Sequence, residues 1–521
     1  MKTKSHCLKN GQVILFSQVP CLNIDEFCRH IIESTHLGAR ISSLFGMEYG
    51  EKQTEKKAPI RLVAVLADDA RHTLSVLSAE VEKSYPSLTP LCPQTHMFER
   101  EIAEQWGVIP EGHPWLRPAR FHSSYRPGNE VWKLLPGQVR LPGTADFFRI
   151  EGDEIHEVAV GPVHAGIIEP GHFRFQCHGE KVFHLEISLG YQHRGIERAL
   201  IGGPHKRTIY QMETVAGDTT IGHTLAYCQA IEALKECEIP RRAQALRTIG
   251  LELERLANHT GDLGAMSGDV GFLPTASYCG RIRGDFLNMT ALICGSRLGR
   301  GFIRLGGVGF DIDPEDRLLK LTKALAWADE DARVAVQLLW DTPAVMSRFE
   351  DTGIVSRQTC GDLGMVGPAA RACGLKLDVR QDFPLGHYNF QSMPLVPNPE
   401  FRNGDVGARA YVRWAEIHNS LAFLKILLPH LPKKGIISSH ASDLPGHLPP
   451  DSLVVSLVEG WRGEICHTAI TDAAGKLARY KIVDPSFHNW MGLGMALRNQ
   501  EISDFPLCNK SFNLSYCGFD L

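Results

Sequence analysis

The sequence has 14 cysteines among 521 residues, yet no two of them form a Cys-x-x-Cys pair; the nearest neighbours are Cys21 and Cys28. Structural zinc and iron–sulfur clusters are held mostly by close cysteine pairs, so the chain is expected to carry neither by itself. The only apolar stretch near the start, 13–16, is far too short for a signal-peptide core, so no disulfide framework is expected either. Most of the cysteines are then small apolar core residues of a reduced, cytoplasmic protein. No run approaches the roughly 18 apolar residues that span a bilayer; the best attempt, 421–431, is interrupted by Lys425 and Pro429. G-x-x-x-x-G-K-[ST], a strand-borne G-x-G-x-x-G, H-E-x-x-H and G-x-S-x-G are all missing, which sets aside nucleotide binding, zinc proteolysis and serine-hydrolase chemistry. There is little charge of one sign: 55 Lys and Arg against 59 Asp and Glu leave a net −4. Nothing there attracts nucleic acid or an anionic membrane surface.

What is present is the composition of a folded globular chain, 43% hydrophobic and 22% charged, long enough for two to four domains at about 100–200 residues each. In the first part, 61–66 reads as a strand and 70–82 as an amphipathic helix. A Pro-, Gly- and aromatic-rich stretch, 110–142, reads as loop and linker. A second β-like region covers 148–189. Helical spacing then takes over: Leu225, Cys228, Ile231 and Leu234 share one face, as do Leu246, Ile249, Leu253 and Leu256 in a helix broken beyond His259 by Gly261 and Gly264. Further helices are predicted over 280–300, 315–340 and 408–428. The segments 453–458, 464–471 and 477–483, joined by Gly- and Asp-containing turns, predict a small antiparallel meander. The fold class is α+β, a small α+β domain followed by a large helical body with β-rich ends.

The stretch 157–201, EVAVGPVHAGIIEPGHFRFQCHGEKVFHLEISLGYQHRGIERAL, concentrates His164, Glu169, His172, His184, His193, Arg194 and Glu197. Further on come Glu254-Arg255-Leu256-Ala257-Asn258-His259, Arg304-Leu305-Gly306-Gly307-Val308, and Gly367-Pro368-Ala369-Ala370-Arg371 with Asp378-Val379-Arg380. Gly404-Asp405 with Arg409 and Arg413, and Arg479-Tyr480-Lys481 leading to Asp484-Pro485-Ser486-Phe487-His488-Asn489-Trp490, complete the series. In this order the motifs resemble the large-subunit family that unites group 4 membrane-bound [NiFe] hydrogenases of the formate-hydrogenlyase type with the quinone-site subunit of respiratory complex I. Phe98-Glu99-Arg100-Glu101, Trp106-Gly107 and Glu111-Gly112-His113-Pro114 resemble the small peripheral-arm (30 kDa-type) subunit of complex I, here fused in front. The resemblance divides the chain into 1–145 and 146–521 and implies a hydrogenase large-subunit-like helical bundle with flanking β elements.

The sequence departs from the hydrogenase pattern at the metal. In that branch four thiolates from two Cys-x-x-Cys pairs hold nickel and iron. The first pair aligns with Ala216 and Thr219, the second with Ser486 and Asn489, and none of these side chains supplies the soft sulfur that low-spin iron and nickel require. The resemblance thus leads to the expectation of no nickel, no hydrogen turnover and no cofactor in this chain. It also implies that Leu521 is retained, because the cleavage that follows metal insertion has no trigger. The complex I tyrosine that meets the quinone head group aligns near Gly217, flanked by Tyr191 and Tyr227. Asp218 and His223 are the candidate proton donors in its place, with His164, His172 and His193 as further titratable groups. Glu169, Arg194, Glu197, Arg371, Asp378 and Arg380 are candidates for carrier binding and coupling.

By the same resemblance an iron–sulfur cluster belongs to a partner small subunit packed over the 160–225 face. Membrane antiporter-like and quinone-module subunits are the other expected partners, with a possible quinone and no nucleic acid. The location implied is peripheral, at the cytoplasmic face of the cell membrane. Two readings stand: an electron-transfer and coupling subunit of an ion-translocating oxidoreductase complex, quinone-reductase-like at most, or a redox-inactive scaffold of such a complex.

Overall fold

Apolar and β-branched residues fill nearly every position of IRLVAVLAD, and Ile60–Asp68 is accordingly a strand buried on both faces in the computed structural model. The structure describes residues 5–49, 59–133, 141–142, 146–163, 169–312, 315–386, 403–432, 435, 437–438 and 448–521. Ile60–Asp68 lies in a five-stranded sheet in the order His6–Leu8, Thr73–Val81, Ile60–Asp68, Arg40–Glu48, with Cys21–Leu22 parallel to Thr73–Val81. The segment 70–82, expected to be a helix, is thus the strand Thr73–Val81. It is hydrogen-bonded to Ile60–Asp68 along its length and to His6–Leu8 on its other edge. A run apolar toward both sheet faces carries residues at helical spacing as well, and tertiary pairing decides the outcome. The Ile24–His36 helix opens on Asn23, whose side chain accepts from the Glu26 N–H at 2.8 Å. The His96–Trp106 helix packs on Arg40–Glu48 and stops at Gly107, whose φ of 70° suits glycine.

The meander is present as Ser452–Gly460, Gly463–Thr471 and Leu477–Val483, all antiparallel. Its fourth strand comes from the far end of the chain: Val13–Leu15 pairs with Ser452–Gly460. Every residue of Ser452–Gly460 and Gly463–Thr471 is buried. The Thr220–Leu234 helix packs on these two strands, and Leu477–Val483 meets Arg40–Glu48 of the N-terminal sheet. A third sheet, with His172–His178 between Lys181–Ser188 and Ile155–Val160, covers the 148–189 region.

The helical body is built from Thr220–Leu234, Arg241–Asp269, Leu273–Cys294, Glu315–Trp340 and Val406–Leu427. The break expected beyond His259 does not occur, and the helix runs on to Asp269. A Cβ at Gly261 would sit 2.6 Å from Arg283 Cδ, and one at Gly264 2.7 Å from Cys279 Cβ. These glycines let the Leu273–Cys294 helix approach closely, which offsets their cost of about 1 kcal/mol each in a helix interior. No helix among the described residues is long and apolar enough to cross a membrane. All cysteines except Cys7, Cys21 and Cys237 are buried.

Candidate functional site

Two stretches far apart in sequence meet under the meander. Asp484 caps the Pro485–Ala496 helix, one carboxylate oxygen accepting from the Ser486 N–H at 2.8 Å. Its other oxygen lies 2.9 Å from His223 Nε2, in the first turn of Thr220–Leu234. His223 Nδ1 is 3.1 Å from His467 Nε2, and His467 Nδ1 is 2.9 Å from the Tyr480 hydroxyl. All four side chains are buried. Burial, reinforced by His223, pushes His467 well below the ordinary imidazole range, so its ring is neutral. With His467 neutral, two proton arrangements satisfy the line: Tyr480 O–H donates to His467, His467 Nε2–H to His223 and His223 Nε2–H to Asp484, or a His223 carrying both ring protons donates to Asp484 and His467 while His467 Nδ1–H donates to Tyr480. Burial opposes ionisation of Asp484, but the His223 bond and the nearby Arg462 guanidinium hold it below the usual carboxylate range.

The hairpin turn after Ser452–Gly460 supplies the next layer. Arg462 grips Asp218 with two hydrogen bonds, 2.6 and 2.7 Å, the bidentate geometry that favours arginine over lysine. Trp461 Nε1 and Asn258 Nδ2 each donate to the Asp218 carbonyl at 3.0 Å. The Asp218 side chain is 34% exposed against 5% for Arg462, so the carboxylate faces the open side of the site. Gly217 beside it faces open space, since a Cβ there would meet no heavy atom within 4 Å. Behind it, Glu254 accepts from the Ile221 and Gly222 N–H groups at 2.7 and 3.2 Å. Burial outweighs these bonds and pushes its carboxyl up to about 8. The site thus sets a half-buried carboxylate held by Arg462, a carboxyl that holds its proton near neutral pH and a buried imidazole line within one wall.

Ala216, Thr219, Ser486 and Asn489 are all buried on these same two stretches. Thr219 Oγ1 accepts from Trp461 Nε1 and Arg462 Nη1 at 3.1 and 3.2 Å. Ser486 Oγ accepts from the Ser515 N–H at 2.8 Å. The Asn489 amide makes both backbone bonds of Val366, at 3.0 and 3.1 Å. No thiol is available in the set, and each polar side chain is already spent on the protein. These residues do not fit a nickel–iron centre. Among the described residues no group of three or more His, Cys, Asp or Glu is arranged to hold a metal ion.

The other predicted site residues separate into distinct surroundings. Glu169 accepts from the Tyr516 and Cys517 N–H groups at 2.9 and 3.1 Å. Arg194 donates to the carbonyls of Thr214, Val215 and Cys517, so its guanidinium clasps the 213–219 stretch to the chain's last turn. His193 Nδ1–H donates to the Asp520 carbonyl, 2.7 Å away, and the ring stacks on His122 at 4.7 Å. Burial first, and His122 second, push it down to about 4. His172 lies at the head of its strand beside Arg174 and Phe147.

Glu197 is placed elsewhere, at the seam with the N-terminal sheet. Arg479 and Lys481 reach it at 2.9 and 3.0 Å, and Lys481 also meets Glu101 at 2.7 Å. Arg371, Asp378 and Arg380 belong to a buried network centred on Glu416. Arg371 Nε lies 2.9 Å from Glu416 and its Nη1 2.8 Å from Glu459, while Arg255 and His259 contact the second Glu416 oxygen at 3.2 and 3.0 Å. Arg380 pairs with Asp378 at 2.6 Å. This network abuts the site through Arg255, which donates to the Glu459 and Gly460 carbonyls just before Trp461. His164 lies outside the described residues. Sequence reasoning singled out neither Trp461 and Arg462 nor His467, Glu416 and Asp520. The available signal was a histidine inside a run of strand-forming Ile, Thr and Cys, as for His467 in EICHTAIT.

Residues 269–445 match the model of the respiratory-chain NADH dehydrogenase 49 Kd subunit, and residues 18–129 that of the 30 Kd subunit. Hydrogenase-4 component G of Escherichia coli is 30% identical over 445 residues, covering 83% of this chain and 75% of that protein. NADH-quinone oxidoreductase subunit 4 of Thermus thermophilus is 27% identical over 373 residues, covering 67% of this chain and 90% of that protein. The chain belongs to this family, a 49 Kd-type large subunit fused behind a 30 Kd-type unit. Its fold matches that of a chain in the membrane-bound sulfane sulfur reductase, an archaeal respiratory membrane complex. There the TM-score is 0.66 and the identity 23%, covering 72% of this chain and 100% of that one.

Proposed function

We propose that the chain is the electron-transfer and coupling subunit of a membrane-associated, ion-translocating oxidoreductase complex, and that it works without nickel. What carries this reading is the contrast at the site: a hydrogenase and complex I scaffold in which Ala216, Thr219, Ser486 and Asn489 replace the sulfur ligands, beside titratable groups that remain in place. An iron–sulfur cluster in a partner small subunit over the 160–225 face would supply the electrons, and a quinone or similar carrier would take up two electrons and two protons. Asp218, on the open side, is the residue of this wall best exposed to exchange a proton with a carrier. Glu254 holds a proton in reserve behind it, and the Asp484–His223–His467–Tyr480 line extends the hydrogen bonding into the meander. Membrane antiporter-like subunits complete the complex, and the chain sits peripherally at the cytoplasmic face.

The test is to purify the native complex and follow its iron–sulfur EPR signal. A signal that appears on reduction and is discharged by added quinone supports the reading; a cluster that ignores quinone under every donor removes it. The scaffold reading is favoured by one observation, that Arg194 and Glu197 are committed to structural contacts. A complex without any reducible cluster would establish it.

A further inference from the structure

A cavity of about 490 Å³ lies between the His96–Trp106 helix, the Lys181–Ser188 strand and the Pro485–Ala496 helix. That volume falls within the roughly 300–1,000 Å³ of small-molecule sites. It is distinct from the wall around Asp218, being formed where the 30 Kd-type unit meets the large subunit. Trp115, Phe121, Phe148, Phe183, Trp490 and Phe519 make its walls aromatic.

Its charges are one-sided. Arg100, Arg117 and Arg498 line it, against the single carboxylate of Glu186, which already accepts from the Phe148 N–H at 2.8 Å. Among the described residues Arg100 donates to neutral acceptors, the Arg117 and Pro118 carbonyls at 2.9 and 2.8 Å and the Met97 sulfur at 3.4 Å. The acids beside it on the helix are occupied elsewhere. Glu99 binds the N–H groups of Leu88 and Thr89, Glu101 pairs with Arg120 and Lys481, and Glu104 binds the N–H groups of 119–121. Glu104 and Glu186 act on this guanidinium through space, but among the described residues neither hydrogen-bonds it, so its N–H groups are left to neutral acceptors. Trp490 adds a second unmet need, a buried Nε1 donor without an acceptor among the described residues. An aromatic chamber with three arginines against one carboxylate in its lining is complementary to one kind of molecule.

We propose that this cavity binds an amphipathic monoanion, an apolar or aromatic body carrying one carboxylate-type head group, with the head on Arg100 and Arg498 at the mouth. The aromatic rings enclose the body, and the head group takes the charge-assisted hydrogen bonds that the protein leaves unmade. The same chemistry serves a lipid-derived acid or a soluble aromatic acid.

Calorimetric titration of the purified full chain with decanoate, 2-naphthoate and the neutral decanol tests this. The expected result is saturable single-site binding of at least one acid, weakened about tenfold or more by Arg100→Gln, the worth of one charged hydrogen bond. Decanol binding stays unchanged by that substitution. Tighter decanoate assigns the lipid-derived source, tighter 2-naphthoate the soluble one. Arg498→Gln, at an exposed rim position, weakens the acids in the same direction and serves where Arg100→Gln fails to fold. Absence of saturable binding for both acids overturns the proposal, as does binding that neither substitution alters.

Discussion

Replacing Glu416 by Gln strikes the most highly connected buried charge next to the site. Its carboxylate is fully buried and receives Arg371 on one oxygen and Arg255 and His259 on the other. Burial opposes ionisation, but Arg371, His259 and Arg255 together hold Glu416 well below the ordinary carboxylate range. The amide of Gln keeps the shape and removes the charge, so the buried Arg255 and Arg371 lose their shared counter-ion. Breaking one partner of such a buried pair costs about 3–5 kcal/mol, and Glu416→Gln is expected to lose that much in denaturant unfolding at pH 7. The pH dependence carries a sign. A carboxyl whose folded value is depressed contributes stability above its ordinary range and loses it as the pH falls toward the folded value. The gap between wild type and Glu416→Gln therefore stays constant from neutral pH down to about pH 5 and narrows below that. A Gln variant within about 1 kcal/mol of wild type at pH 7, or a gap that widens in acid, refutes the reasoning.

Glu254 has the opposite sign. Its folded carboxyl is raised from 4.5 to about 8, so wild type loses stability relative to Glu254→Gln as the pH rises through that window, by on the order of 4–5 kcal/mol in all; unfolding series at pH 5, 7 and 8.5 measure it. His223→Leu strands the buried Asp484 carboxylate and is expected to cost about 3 kcal/mol, whereas Tyr480→Phe removes only the outermost hydroxyl and costs about 1 kcal/mol, both read by denaturant midpoints. Gly217→Tyr enters open space and is expected to unfold within about 1 kcal/mol of wild type, and in the assembled complex to lower the quinone concentration that half-discharges the cluster.

The long helices and the meander were legible because each carries its own period over many residues. The strand Thr73–Val81 was not, since burial on both faces erases the alternation that marks a half-exposed strand. Gly261 and Gly264 read locally as breakers, and only the neighbouring Arg283 and Cys279 explain why the helix continues. The pairing of Val13–Leu15 with Ser452–Gly460 joins segments too distant for any local pattern to link. At the site, motif order singled out Asp218 and His223 and the four altered ligand positions. It could not separate residues that share a motif yet serve different contacts: Glu197 lies three residues from Arg194, but one joins the seam with Arg479 and Lys481 while the other clasps the last turn. His467 and Arg462 sit in strands and turns whose partners come from 218–223, so their roles emerge only once the sheet is folded onto the helix.

The central claim is that the scaffold transfers electrons without the metal its relatives' ligands would hold. Metal analysis of the purified native complex, paired with a hydrogen–deuterium exchange assay on the same sample, tests it most directly. Iron from the partner's cluster, nickel at background and no exchange of hydrogen isotopes are expected. Nickel stoichiometric with this chain, or isotope exchange that follows it through purification, contradicts the account.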